Sequence, residues 1–230
     1  SETFYSVQGE GITQGVPAFF IRLQNCNLNC IWCDTKKIWK CGNEISYKQL
    51  EDRIKESGQF NNILLGKVHL IWTGGEPTLQ EKEIKGFINY LRKKYGSSKI
   101  FSEIETNGTI YVSNDFYENY IDQINCSPKL NNSGMPSQRR INFKSIKQIN
   151  DNPNSYFKFV ICKEKDIIEI ENDFIYKFNI NKNKIILMPN ADNRLDLFKN
   201  TQICYELTKK YGYRTITRGQ ILVWDKKSGV

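Results

Sequence analysis

Three cysteines lie close together near the start of the chain, in the run Cys-Asn-Leu-Asn-Cys-Ile-Trp-Cys that contains Cys26, Cys30 and Cys33. Thiolates this close in sequence can reach one metal centre without closing a long loop. A closed structural zinc site takes four protein ligands, and an ordinary four-iron cluster takes four cysteines. Three cysteines therefore predict an iron–sulfur cluster in which one iron keeps a free coordination position.

A fourth cysteine leaves a second interpretation open. Cys41 follows Cys33 by eight residues, so the pattern C-x3-C-x2-C-x7-C could also close a zinc site. We expect the scattered Cys126, Cys162 and Cys204 to be small buried hydrophobic residues. A disulfide framework is disfavoured, because 230 residues can bury a core without cross-links and seven cysteines cannot all pair. The open cluster is the favoured prediction.

Length and composition predict a single domain over residues 1–230. This is the size of one α/β barrel, and 39% of the residues are hydrophobic, which is enough for a sizeable core. No apolar run approaches the ~20 residues that a membrane-spanning helix needs, and no signal-peptide pattern opens the chain. Together with the free cysteines, this predicts a cytoplasmic protein without a membrane partner.

The formal net charge of +8 would also suit a nucleic-acid-binding protein. The basic residues are nevertheless spread along the chain, as in Arg92-Lys93-Lys94 and Lys209-Lys210. These groups lie at the ends of helical patterns, where cations face water and favour the helix dipole. A solvated basic surface is therefore favoured over nucleic-acid binding, and the charge suits an acidic small substrate equally well.

Short β-rich runs alternate with helical patterns along the chain. The predicted strands are Ala18–Leu23, Lys67–Thr73, Lys99–Glu105, Ile121–Cys126, Tyr156–Cys162 and Lys184–Met188. The predicted helices are a Ser46-capped helix to about Lys55, Glu81–Lys94 and an amphipathic helix over Leu195–Tyr211, while Asp166–Lys177 is ambiguous. Alternation of this kind implies parallel pairing through right-handed crossovers. About six such units predict a partial, open parallel α/β barrel, with the site in the loops that follow the strands.

The run Gly74-Gly75-Glu76-Pro77 directly follows the second predicted strand. Two glycines permit positive φ and close backbone approach to a ligand, and Pro77 sets the start of the next helix. Alone, this run would also suit an ordinary strand–helix turn. After the cysteine motif, it resembles the GGEP element of the radical S-adenosylmethionine (SAM) superfamily. The resemblance implies a [4Fe-4S] cluster, SAM on its open iron, and a radical carried by the cofactor rather than by a catalytic side chain.

Further motifs narrow the resemblance to one family. They are the Ser6–Gly11 turn, Arg22, Cys-Asp-Thr, Thr-Gly-Gly-Glu-Pro, Glu-Thr-Asn-Gly and Ser127-Pro128-Lys129. From Glu2 to about Lys129 the chain closely resembles the 7-carboxy-7-deazaguanine synthase family. The implied activity is contraction of 6-carboxy-5,6,7,8-tetrahydropterin to 7-carboxy-7-deazaguanine, with loss of ammonia, in queuosine and other 7-deazapurine biosynthesis. Beyond Lys129 the resemblance is thinner and rests on a Phe-Lys-Phe-Val strand and the Lys-Ser-Gly-Val end.

The resemblance also implies a set of site residues and partners. The residues implied for SAM are Trp32, Gly75, Glu76, Glu105, Ser127, Pro128 and Lys129. Those implied for the carboxytetrahydropterin substrate are Val7, Gln8, Gly9, Glu10, Arg22, Thr73 and Val230. Thr35 is implied as an oxygen ligand of Mg²⁺, although its hydroxyl would equally suit a turn cap. The implied partners are a flavodoxin- or ferredoxin-type electron donor and a second copy of the chain.

The positions of some polar residues in the predicted strands also indicate their contacts, independently of the resemblance. Arg22 interrupts an apolar strand and shares a face with Phe20, so its charge needs either a structural acid or a ligand carboxylate. Glu103 and Glu105 share one strand face, where they could accept from a ligand or neutralise Arg22 or Lys158. The lone histidine, His69, is expected in the core rather than in the chemistry.

Two other functions remain as alternatives. A glycyl-radical-enzyme activase shares the cysteine spacing, but the Gln8–Gly11 turn, Arg22 and Thr35 argue against it. A zinc-bearing nucleic-acid-binding module would use the basic surface, and iron and sulfide analysis separates it from both enzymes.

Overall fold

A computed structural model describes residues 2–36, 42–96 and 99–230, so Cys41 and the zinc site that would include it lie outside the described residues. Eight strands form one sheet in chain order. They are β1 (Glu2–Val7), β2 (Pro17–Leu23), β3 (His69–Gly74), β4 (Ser102–Thr106), β5 (Gln123–Cys126), β6 (Ser155–Ile161), β7 (Ile185–Pro189) and β8 (Arg214–Thr215). β1 runs antiparallel to β2, and all later pairs are parallel.

Helices connect the parallel strands. They are α1 (Tyr47–Glu56), α2 (Phe60–Leu64), α3 (Glu81–Tyr95), α4 (Asn114–Asn119), α5 (Ser137–Arg140), α6 (Phe143–Asp151), α7 (Lys165–Ile170), α8 (Tyr176–Phe178), α9 (Arg194–Tyr211) and α10 (Gly219–Trp224). Short 3₁₀ turns cover Pro77–Gln80, Asn131–Ser133 and Lys182–Lys184. A π-helical segment, Glu171–Ile175, joins α7 to α8, so the ambiguous stretch is helical.

The predicted open parallel α/β architecture is confirmed, and the six predicted strands correspond to β2–β7. Their ends shift: β4 begins at Ser102 rather than Lys99, for example. β1 was missed because its last two residues were assigned to the turn that follows. β8 has two residues, too few to give a periodic signal.

The two faces of the sheet differ in polarity, and this difference creates the site. In β2, Phe19 and Ile21 are buried in the main core, while Phe20 and Arg22 on the opposite face line a cavity. The prediction that Arg22 and Phe20 share a face is therefore confirmed. Strands of parallel sheets are usually apolar on both faces, so a polar inner face indicates a binding site rather than a second core.

The structure agrees with the predicted capping box of α1 but only in part with the predicted amphipathic pattern of α9. Ser46 Oγ accepts from the Gln49 N–H at 3.2 Å and the Gln49 side chain accepts from the Ser46 N–H at 2.8 Å, which confirms the capping box. The prediction of an amphipathic α9 is wrong for its first turns, because Leu195 and Phe198 are 84% and 82% exposed. No helix among the described residues is long and apolar enough to cross a bilayer.

The cysteines outside the motif are packed into the fold. Cys126 and Cys204 are fully buried, as predicted, whereas Cys162 is only partly buried and its sulfur lies 3.4 Å from Asn190 Nδ2. Burial raises the pKa of the Cys204 thiol to about 12, so this group remains a protonated core residue. His69 begins β3 and stacks on Phe101, but it is only partly buried and its Nδ1 lies 3.1 Å from Glu103 Oε2, so the predicted core position is met only in part.

Candidate active site

One cavity lies at the carboxyl ends of the strands and gathers most of the predicted site residues. The predicted residues that line it are Val7, Gln8, Gly9, Glu10, Arg22, Cys26, Cys30, Trp32, Cys33, Thr35, Thr73, Gly75, Glu105, Ser127, Lys129 and Val230. Two predicted residues, Glu76 and Pro128, are buried behind its wall and are absent from the lining. The cavity therefore joins the cysteine motif to the substrate-side turn in one space.

The three motif cysteines surround a small apolar cluster. Cys30 is 6% exposed and packs with Leu28 and Met135, and Cys26 and Cys33 lie against the same cluster. Among residues 2–36, 42–96 and 99–230, no three His, Cys, Asp or Glu side chains converge on a point where a single metal ion would bind. Three thiols that contact one apolar cluster beside the cavity are a donor set that suits an iron–sulfur cluster.

The electrostatics of these thiols depend on burial and on one lysine. Burial raises the pKa of the Cys26 and Cys30 thiols, and the nearby Lys129 ammonium acts in the opposite direction. Because thiols bind iron as thiolates, loading a cluster here would release protons and would gain from the positive charge of Lys129.

The loop that carries the cysteines is fixed by the segment that follows β5. The Ile31 N–H donates to the Ser133 carbonyl at 3.0 Å, and the Trp32 indole N–H donates to the Asn132 carbonyl at 3.0 Å. The Lys129 ammonium lies 5.6 Å from the centre of the Trp32 ring, within cation–π distance. These contacts hold the cysteine side chains toward the cavity.

The two glycines after β3 allow backbones to pack, and Gly74 has the positive φ that the sequence predicts. Gly74 has a φ of +107°, and a Cβ on Gly75 would lie 1.8 Å from the Asn25 carbonyl oxygen. The Gly75 N–H donates to the Leu23 carbonyl at 2.9 Å, and the Glu76 N–H donates to the Asn25 carbonyl at 2.8 Å. Glycine is required here because the strand end lies directly against the start of the cysteine loop.

Glu76 is fully buried, and its carboxylate is occupied by the protein itself. Oε1 accepts from the Thr78 N–H at 3.1 Å and from the Thr78 and Thr106 hydroxyls at 2.6 Å each, while Oε2 accepts from the Asn107 N–H at 2.6 Å. This carboxylate ties the end of β3 to the end of β4. The geometry makes Glu76 a positioning residue for Gly75 rather than part of the cavity wall.

The side chain of Gln8 also hydrogen-bonds to other residues of the protein. Its amide nitrogen donates to Glu103 at 2.7 Å and to Glu105 at 3.1 Å, and its amide oxygen accepts from the Glu10 N–H at 3.2 Å. Asn125 donates to the same two carboxylates. Gln8 thus anchors the turn after β1 on β4, and the turn presents its backbone to the cavity.

A buried charge network lies under this turn. The Lys158 ammonium, with only 4% of its side chain exposed, donates to Glu10 at 2.6 Å and to Glu105 at 2.8 Å. Glu10 also accepts from Arg218 at 2.8 Å and from Gln220 at 2.6 Å. Burial alone would raise the pKa of Glu10, but Lys158 and Arg218 hold it well below its ordinary value. Burial raises the pKa of Glu105, with Lys158 opposing.

Arg22 has the structural acid considered from the sequence and also lines the cavity. Its Nη1 donates to Glu2 Oε2 at 2.6 Å and to Ser228 Oγ at 2.8 Å, and its guanidinium lies 4.7 Å from the centre of the Phe4 ring. In the part of the chain that the structure describes, its Nε and Nη2 have no hydrogen-bond partner. Nη1 of the guanidinium is therefore held by a structural acid, and its other two nitrogens remain able to donate to a ligand in the cavity that Arg22 lines.

Thr35 lies where the cysteine loop meets the end of β3. Its hydroxyl lies 3.3 Å from the Gly74 carbonyl oxygen and 3.6 Å from Cys33 Sγ, and the residue lines the cavity. A hydroxyl that donates to a carbonyl keeps its oxygen lone pairs, so Thr35 is able to offer an oxygen to a cation. Its neighbour Asp34 is ion-paired with Arg218 at 2.5 Å.

Nine cavity residues with polar side chains were not among the predicted site residues: Ser6, Asp34, Thr106, Asn107, Lys158, Asn190, Arg218, Gln220 and Lys227. Lys158 interrupts an apolar strand as Arg22 does, and the same argument would have placed it on the inner face. Arg218 and Gln220 lie in the chain's last turns and carry no local signal. With them the lining holds five cationic side chains (Arg22, Lys129, Lys158, Arg218 and Lys227) against three carboxylates (Glu10, Asp34 and Glu105). This surplus suits an anionic ligand.

The chain is similar to known proteins both in the region of its motifs and over most of its length. Residues 20–129 match the family model of the radical SAM superfamily. The 7-carboxy-7-deazaguanine synthase of Clostridium acetobutylicum is 34% identical over 79% of this chain and 76% of its own length. The synthase of Aquifex aeolicus is 30% identical over 94% of this chain and 89% of its own. That of Pyrobaculum aerophilum is 29% identical over 99% and 95%.

Solved structures share the fold. The crystal structure of QueE from Escherichia coli matches with a TM-score of 0.65 at 24% identity, covering 94% of this chain and 92% of that one. The structure of anSMEcpe with bound AdoMet matches with a TM-score of 0.55 at 16% identity, covering 91% and 68%. Neither the activase nor the zinc module gains support from these comparisons. On the strength of relatives that are at least 30% identical over most of both chains, the chain belongs to the 7-carboxy-7-deazaguanine synthase family of the radical SAM superfamily.

Proposed function

We propose that this chain converts 6-carboxy-5,6,7,8-tetrahydropterin to 7-carboxy-7-deazaguanine with loss of ammonia, as a step toward queuosine and other 7-deazapurines. The observation that carries the proposal is a cavity whose lining includes the three motif cysteines, Arg22 and the polar turn after β1. Family membership supports the same reaction.

Cys26, Cys30 and Cys33 would hold a [4Fe-4S] cluster, and their spread around one apolar space fits that group. The chemistry that such a cluster would supply when reduced is one-electron cleavage of SAM to a radical, and this chain's residues would hold the substrate with its C6 hydrogen toward that radical. The chain's own contribution is to bind and orient, because no side chain needs to carry the radical. Gly75, Trp32, Glu105, Ser127 and Lys129 line the SAM side of this cavity in the proposal.

The substrate side is built from Val7, Gly9, Arg22, Thr73 and Val230. The free donors of Arg22 would bind the substrate carboxylate, since arginine suits bidentate carboxylate recognition. The backbone of the turn would meet the amide-like edge of the pterin. Gln8 and Glu10 hold that turn in place through their internal contacts.

Thr35 would offer its hydroxyl oxygen to Mg²⁺, with the substrate carboxylate and waters completing the shell. Magnesium prefers oxygen ligands and retains several waters, so one protein oxygen is sufficient for this arrangement. The ion would then help to hold and polarise the carboxylate at the end of the cysteine loop.

The proposed partners and location follow from the resemblance and from the surface. A flavodoxin- or ferredoxin-type protein would supply the electron, and the chain would act in the cytoplasm without nucleic acid. A homodimer is supported by exposed apolar side chains at one end of the sheet, on α9 and α10. These side chains are Leu195, Phe198, Leu222 and Val223.

The first test is an anaerobic assay of reconstituted protein with SAM, reductant and carboxytetrahydropterin. We expect 7-carboxy-7-deazaguanine as the product, and we expect Cys→Ser at position 26, 30 or 33 to abolish both the intact cluster and SAM cleavage. Cys41→Ser is the matched control and should leave both largely unchanged. Protein that takes up zinc instead of iron, and loses it on the Cys41 change, would refute the open cluster.

Glu76→Gln separates a positioning role from direct contact with SAM. The amide would turn an NH₂ group toward a backbone or hydroxyl donor, so we expect the free energy of unfolding to fall by about 1–3 kcal/mol. Urea denaturation followed by circular dichroism measures this change. Unchanged stability together with lost SAM affinity would instead return Glu76 to the cavity wall.

Thr35→Ala should weaken the stimulation of turnover by Mg²⁺ while the cluster still forms, because only the hydroxyl ligand is removed. Thr35→Ser should retain much of the stimulation, since its hydroxyl survives. The measurement is product formation against added Mg²⁺ after thorough chelation. Wild-type turnover that does not respond to Mg²⁺ would contradict the role given to Thr35.

Arg22→Ala should weaken substrate binding by ~30-fold or more, because losing one partner of a buried charge pair costs about 2–5 kcal/mol. Arg22→Lys should rescue only part of this, since the fork geometry is lost. Glu2→Gln is the matched control: it removes the structural acid from Arg22 but keeps the guanidinium, so substrate affinity should not fall. An Arg22→Ala protein with its cluster intact and with wild-type affinity would make Arg22 purely structural.

A further inference from the structure

A buried arginine outside the sequence motifs joins three separate parts of the site. Arg218 directly precedes α10 and is 9% exposed. Its Nε donates to Glu10 Oε1 at 2.8 Å, its Nη2 donates to Asp34 Oδ2 at 2.5 Å, and its Nη1 donates to the Ala191 carbonyl oxygen. The three nitrogens therefore contact the turn after β1, the end of the cysteine loop and the loop after β7.

The contact with Asp34 acts on the position of the cysteine loop. Asp34 lies between the cluster ligand Cys33 and the magnesium candidate Thr35. Among the described residues, Arg218 is the only hydrogen-bonding partner of the Asp34 carboxylate. The Asp34 side chain is 47% exposed, so water can solvate its carboxylate without Arg218, and the exposure of this partner weakens the pair's contribution to stability. The consequence of the contact is therefore chiefly geometric.

The contact with Glu10 is part of a broader attachment of the chain's last turns to the substrate-side turn. The Gly219 N–H donates to the Gly9 carbonyl at 2.8 Å, and Gln220 Nε2 donates to Glu10 Oε1 at 2.6 Å. A Cβ on Gly9 would lie 2.0 Å from Gln220 Oε1, so the two segments are in close contact. Arg218 thus lies at the junction, and in the described part of the chain it is the side chain that hydrogen-bonds to both the turn and the cysteine loop.

We infer that Arg218 is a positioning residue that sets the separation between the substrate-side turn and the cysteine loop. The inference rests on the proposed function, in which the turn holds the pterin and the loop holds the cluster and SAM. A guanidinium fork suits this task, because its donors point in fixed directions and bind two carboxylates at once. Without it, substrate and cluster would each still bind, but their relative placement would loosen.

The test is to count abortive turnovers in the reconstituted holoenzyme. Arg218→Ala should retain its cluster, while product formation falls by about 10- to 100-fold, since a misplacement of ~1 Å can cost that much. The amount of 5′-deoxyadenosine released per product should rise in the same variant, because the hydrogen donor is no longer held in place. Loss of folded protein alone would lower both quantities together and leave their ratio unchanged.

Asp34→Asn provides a milder variant that removes the negative charge from one contact, and so weakens it, while it keeps the Glu10 contact. It should also raise the amount of 5′-deoxyadenosine released per product. Combining it with Arg218→Ala should add little, because Arg218→Ala already removes the contact that Asp34→Asn weakens. Arg214→Ala, an exposed arginine outside the cavity, is the matched control and should match wild type. Wild-type product formation establishes the proposed function independently. Folded Arg218→Ala and Asp34→Asn proteins with wild-type ratios would overturn the inference, and so would an Arg218→Ala chain that fails to fold while Asp34→Asn keeps a wild-type ratio.

Discussion

The site depends on the pairing of Lys158, a cation on the inner face of a parallel sheet. An unpaired ammonium in such a place costs several kcal/mol, so its partners must come to it. They come from two distant parts of the chain: Glu105 from β4, and Glu10 from the turn that follows β1. Pairing therefore fixes the turn over the strand ends. This turn carries Gln8 and Gly9. Much of the proposed substrate side is therefore positioned by the pairing of the buried Lys158 ammonium.

Different interactions hold the cysteine side and the substrate side of the cavity in place. On the cysteine side, the strand end after β3 packs against the cysteine loop so closely that Gly75 has no space for a side chain, and Glu76 accepts four hydrogen bonds from the neighbouring strand ends. On the substrate side, paired charges set the geometry. Close packing is rigid over short distances, whereas charge pairs connect segments far apart in sequence. Arg218 extends the second kind of contact to the cysteine loop.

Local patterns were sufficient to predict some of the side chains that line the cavity. Alternation in β2 placed Arg22 on the inner face, and the spacing of Cys26, Cys30 and Cys33 indicated one shared space. A motif indicates where a residue lies but not what its side chain contacts: Glu76 follows Gly75 at the cavity, but its carboxylate hydrogen-bonds within the protein. Arg218 could not be found this way, because its partners Glu10 and Asp34 are 208 and 184 residues away. Only the folded chain brings them together.

The internal pairing also indicates which charges remain for a ligand. Lys158 and Arg218 are matched by Glu10, Glu105 and Asp34, and Arg22 gives one nitrogen to Glu2. In the described part of the chain, Lys129 and Lys227 have no carboxylate within ion-pair distance, although both line the cavity. The network thus preorganises the walls without using up their positive charge. An anionic ligand can then pair with these cations without displacing an internal carboxylate, which lowers the cost of its binding.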